Sequence, residues 1–99
     1  MNVNQEDILQ VVRELLYEIM ELDPEELEIN LASRFQDDLE LESIEMIALG
    51  DALKSRYQTL LPEAEIDFAG WLTQLSIEQL MELQVEDLVA WLSSALQEG

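Results

Sequence analysis

Two features of this sequence could do chemistry: a hydroxyl, Ser43, and a set of neighbouring carboxylates, Asp37 with Asp38 and Glu40 with Glu42. Adjacent acids can split their pKa values and so divide general-acid and general-base roles. In a chain with 23 Asp and Glu such pairs arise by chance, however, and no pocket motif accompanies them here. The chain has no His and no Cys, so there is no imidazole to titrate near neutral pH, no thiolate nucleophile and no thiol-based metal site. It does not read as an enzyme, and no metal ligand set is expected. Ser43 is different because of where it stands. It follows an acidic loop and precedes a run of apolar residues at helical spacing, in the place of a helix N-cap or first-turn residue. As a cap its oxygen would accept a backbone N–H, worth about 1 kcal/mol. As an exposed hydroxyl it could carry a phosphate, which would meet the positive end of the helix dipole.

The residues around it run Phe35-Gln36-Asp37-Asp38-Leu39-Glu40-Leu41-Glu42-Ser43-Ile44. This stretch resembles the attachment motif of acyl carrier proteins, roughly F-x-x-D-L-G-x-D-S-L, with the Phe-to-Ser spacing intact. Glu40 stands where the family has glycine, and Glu42 where it has aspartate. Ala48, Lys54 and Arg56 stand where carriers often have glutamates. The resemblance implies an all-α, acyl-carrier-like bundle of three longer helices plus one or two short ones, with residues 1–99 forming a single carrier domain. It also implies that Ser43 carries covalent 4′-phosphopantetheine drawn from coenzyme A, whose thiol holds acyl groups as thioesters in fatty acid or polyketide biosynthesis. The partners it implies are a phosphopantetheinyl transferase, then acyl-transferring and ketosynthase-type enzymes with basic surface patches. Glu42, Glu45 and Asp51 carry over as docking residues on the acidic second helix, and Met46 is divided between that surface and the core.

Composition agrees with a small folded domain. Ninety-nine residues lie near the lower end of what one hydrophobic core supports, and 48% apolar content is enough to build that core. The net charge of −19 repels nucleic acid and anionic membrane and attracts basic protein surfaces. No stretch is apolar for long enough to span a bilayer, and the N-terminus lacks a basic-then-apolar leader. The chain therefore reads as a cytoplasmic monomer with no membrane insertion.

The elements that must position Ser43 can be taken in order. A first helix capped by Asn4 carries its apolar residues Ile8, Val11, Val12, Leu15, Ile19 and Leu22 close to a 3.6-residue period and ends near Asp23, ahead of Pro24. Asp23-Pro24-Glu25-Glu26 reads as a second, one-turn start. A long loop over 28–42 is pinned by Ile29, Leu31, Phe35, Leu39 and Leu41, with Phe35 and Leu39 as core anchors. The second helix runs from Ser43 to about Tyr57, with Ile44, Ile47, Leu49, Leu53 and Tyr57 supplying apolar contacts. Pro62 then signals another helix start, inside an apolar-rich insertion over 62–75 that resembles a subset of bacterial carriers with an extended connection. Phe68, Trp71, Leu72 and Leu75 fall on one face of a short helix there, as core, as the border of an acyl-chain cavity or as a partner contact. Ser76-Ile77-Glu78-Gln79 is a capping box opening a helix to Leu83. Gln84 leads into the last helix, with a stripe of Val85, Leu88, Val89, Trp91, Leu92 and Leu96. The same sequence admits another reading, an acidic helical interaction module that carries no prosthetic group and uses Ser43 only as a cap.

Overall fold

Asn4 opens the first helix as its side chain requires: the Asp7 N–H donates to Asn4 Oδ1 at 2.9 Å. The computed structural model describes residues 4–60 and 66–97. In it α1 spans Gln5–Met20, α2 Ser43–Leu60, α3 Phe68–Thr73, α4 Ile77–Met81 and α5 Val85–Gln97. This is an all-α bundle of three longer helices and two short ones, with no strand among the described residues.

α1 buries Ile8, Val12, Leu15 and Leu16, with Val11 and Ile19 packed at the core's edge. It stops at Met20, earlier than Pro24 demands, because Glu21 turns into the left-handed region at φ 55°. The Leu22 N–H then reaches the Tyr17 carbonyl and the Glu21 N–H that of Glu18, a Schellman closure that consumes the helix's last carbonyls. The expected one-turn helix after Asp23 is only a turn, closed by the Glu26 N–H on the Asp23 carbonyl at 2.9 Å.

The long loop is ordered by pairing at a distance. The Tyr17 hydroxyl donates to the Leu27 carbonyl at 2.7 Å and accepts from the Ile29 N–H at 3.3 Å, tying the loop to α1. Further on, the Phe35 N–H donates to the Leu83 carbonyl, the Val85 N–H to Ser33 and the Glu86 N–H to Leu31. These bonds seat the loop on the chain entering α5, with an isolated antiparallel bridge between Arg34 and Gln84. Ile29, Phe35, Leu39 and Leu41 are buried as expected, whereas Leu31 is exposed. The Leu31 carbonyl is held by α5, which leaves its side chain on the outside.

α1 packs against both α2 and α5, and α2 against α3. α2 continues to Leu60, past the expected end at Tyr57. Its buried residues are Leu49, Leu53 and Tyr57, four apart and therefore on one side of the helix. Ile44 and Ile47 do not join them. At about 100° per residue both lie away from that side, and they are 71% and 62% exposed. The Ser76–Gln79 capping box is complete, with Gln79 N–H to Ser76 Oγ at 3.1 Å and Ser76 N–H to Gln79 Oε1 at 2.8 Å. α4 ends at Met81 rather than Leu83, because Leu83 turns inward and gives its carbonyl to Phe35. α5 buries Val85, Leu88, Val89, Leu92 and Leu96, while Trp91 stays half-buried at the core edge. The expected helix start at Pro62 lies outside the described residues.

Candidate functional site

Ser43 is the first residue of α2 and is exposed. It is a first-turn residue and not the cap. The Met46 N–H closes the first helical bond on the Glu42 carbonyl at 3.0 Å, which makes Glu42 the cap position. Glu45 reaches back to the Glu42 N–H at 2.9 Å, supplying half of a capping box. The Ser43 hydroxyl makes no hydrogen bond among the described residues. Its side chain is thus surplus to the local structure and stands in the field of the 18-residue α2 dipole.

Behind Ser43 lies a largely apolar cavity of about 330 Å³, bordered by Phe35, Leu41, Met46, Leu72, Leu80 and Leu83 among others. Ser43 and Ile47 line it too, so the serine borders the apolar space. A smaller adjoining cavity of about 180 Å³ continues along α2 between Gly50, Ile66 and Phe68. Met46, Ile47, Ala69 and Leu72 line both spaces. Met46 is accordingly half-buried and packed on the core, a wall residue rather than a free surface contact.

The acyl-pocket candidates divide. Leu72 lines both cavities, and Phe68, 3% exposed, closes the smaller one. Trp71 lines neither. It stacks on Trp91 with ring centroids 4.9 Å apart and planes 11° apart, and faces a separate groove. The reason is angular: Trp71 precedes Leu72 by one residue on a helix anchored through Phe68, so the two point to different sides. Of the acidic candidates, Glu42 and Asp51 are exposed, and Glu45 is half-buried with one oxygen engaged by the Glu42 N–H.

The paired carboxylates have structural employment. Asp38 Oδ2 accepts the Arg34 N–H at 2.8 Å, and Asp37 meets the Arg34 guanidinium at 3.4 Å. Both serve the turn that holds Phe35. Glu40 adopts φ 50°, a left-handed backbone that a side chain resists. Among the described residues no cluster of three or more carboxylates could hold a metal ion. No helix there is long and apolar enough to cross a membrane.

Sequence reasoning overlooked Leu80 and Leu83 as cavity walls and the exposure of Ile44 and Ile47. A helical projection from Leu49, Leu53 and Tyr57 contains the second signal. Nothing local contains the first. Comparison of the chain with protein-family models, with curated proteins and with solved structures found no match.

Proposed function

We propose that this chain is an acyl carrier whose Ser43 takes a 4′-phosphopantetheine arm. The observation that carries the reading is the Ser43 hydroxyl: on an exposed residue, unpartnered among the described residues, and beside an apolar cavity that Ser43 lines. A phosphodiester there would gain from the unpaired N–H groups and the dipole of the α2 N-terminus. The left-handed backbone at Glu40 supports the same reading, because it keeps the loop geometry that a glycine would give at the corresponding position of the carrier motif.

Ser43 is a nucleophile only inside a transferase. Its oxygen bonds to the pantetheine-side phosphorus of coenzyme A, the bond to the adenosine phosphate breaks, and the serine proton passes to the transferase's base. When bound, the arm supplies a thiol that holds an acyl group as a thioester. The chain's own residues contribute the rest. Leu72, Met46 and Leu80 offer an apolar shelter beside the attachment point. Exposed Ile44 and Ile47, flanked by Glu42 and Asp51, offer an apolar strip with acidic borders to enzymes with basic patches, such as acyl-transferring and ketosynthase-type enzymes. Fatty acid and polyketide assembly are the pathways such a carrier would serve.

The same exposed strip favours a second reading, an interaction module without an arm. Intact mass after incubation with coenzyme A, magnesium and a broad-specificity phosphopantetheinyl transferase separates the two. A gain of one phosphopantetheine in the parent and none in Ser43→Ala is the expected result. No gain with several transferases would leave the interaction module as the better account.

A further inference from the structure

Away from Ser43, a groove of about 640 Å³ runs between the α3–α4 region and α5. We propose that this groove receives a basic segment of a partner protein through an arginine side chain, its guanidinium lying on tryptophan and enclosed by Glu82 and Asp87. The inference goes beyond the carrier reading and does not depend on Ser43.

The groove's surface is aromatic. Trp71 and Trp91 stack at 4.9 Å, and Phe68 leans on both at 5.8 and 6.1 Å, which makes a three-ring cluster. Phe68 is buried, but both indoles are half-exposed and line the groove. Apolar rings of this size held open to water at one place are the usual anchors of protein contacts.

The groove's charge selects the occupant. Glu82 and Asp87 are the charged residues along it, and none of Arg13, Arg34, Lys54 and Arg56 borders it. Among the described residues no cation competes for the site. Asp87 uses Oδ2 to accept the Gln84 N–H at 3.0 Å, which fixes its carboxylate in place and leaves Oδ1 available. The Glu82 carboxylate makes no hydrogen bond or ion pair among the described residues. A planar, weakly hydrated guanidinium suits this combination better than an ammonium does, since it can stack on indole while forking to carboxylate. Leu75 and Leu83 provide the apolar lining for its methylene stem.

The two tryptophans of the chain both line the groove, so intrinsic fluorescence reads its occupancy directly. The full chain is titrated with a short capped peptide of arginine flanked by leucines, and with the same peptide carrying citrulline, while backbone amide NMR shifts locate the contact. The arginine peptide is expected to move Trp emission and the amides of Trp71, Glu82, Asp87 and Trp91. Citrulline should bind about fivefold more weakly, and Glu82→Gln should weaken the arginine peptide about threefold. Equal binding of the two peptides, shifts confined to α2, or an unchanged spectrum would each overturn the proposal. Ser43→Ala should leave the affinity unchanged, so failure of phosphopantetheine loading and failure of peptide binding are distinguishable.

Discussion

Gly50 of α2 and Phe68 of α3 are in direct contact: a Cβ on Gly50 would stand 2.9 Å from Phe68 Cδ2 and 3.2 Å from Phe68 Cβ. The ring has little freedom to retreat, because Trp71 and Trp91 lean on it from other sides. A glycine inside a helix costs about 1 kcal/mol relative to alanine, and this contact is the reason it is tolerated. Gly50→Ala should therefore lower stability by about 1 kcal/mol net, the overpacking strain of roughly 1–3 kcal/mol outweighing the gain in helix propensity. Urea unfolding checks it. A stabilised variant would mean that α3 moves aside readily.

Glu40 offers the opposite case. Its φ of 50° places a side chain where the backbone prefers none. Glu40→Gly should raise stability by about 0.5–1 kcal/mol in thermal or urea unfolding, the relief of left-handed strain exceeding the added entropy of the unfolded chain. Glu40→Ala should give no such gain, which distinguishes strain relief from removal of a charge.

Tyr57 predicts an alkaline limit to stability. It is 3% exposed, and its hydroxyl has no hydrogen-bond partner among the described residues. Burial raises its pKa above the ordinary 10.0, with Arg56 opposing the shift and Asp7 adding to it. The folded chain holds the phenolic proton to higher pH than the unfolded chain does. Its contribution is complete below about pH 10 and is lost as pH rises through the folded-state value. Tyr57→Phe should flatten that alkaline loss in a series of melts. At neutral pH it should also stabilise by about 1 kcal/mol, because an unsatisfied buried hydroxyl is removed.

Ser43 and Ser76 make a matched pair of serines at helix starts. Ser76 Oγ accepts the Gln79 N–H, so Ser76→Ala should cost about 1 kcal/mol. Ser43 makes no such bond among the described residues, so Ser43→Ala should stay within about 0.5 kcal/mol of the parent. The same variant should abolish phosphopantetheine loading. A large loss of stability at Ser43 instead would assign the serine to structure.

Much of the architecture was legible because it is written in near neighbours. Asn4 with Asp7, and Ser76 with Gln79, satisfy backbone N–H groups three residues away, so the residue types alone announce those helix starts. Phe35 and Leu39, isolated apolar residues among acids, had little to do but anchor the core, and they are 1% and 4% exposed. Helix ends were less legible. Glu21 carries no glycine-like signal for its left-handed turn, and Leu83 leaves α4 only because Phe35 needs its carbonyl.

The sequence by itself determined the helical class, three longer helices with one or two short ones, the core anchors, and a serine at the start of the second helix. Those follow from spacing and capping, which act within a few residues. Only the tertiary structure decided what that serine faces. Whether Ile47 meets the core or water, whether Leu72 or Trp71 borders the cavity, and whether Leu80 and Leu83 wall it depend on how α3 and α4 sit against α2. A helix carries its side chains around all sides, and the packing of its neighbours selects which of them becomes an interior.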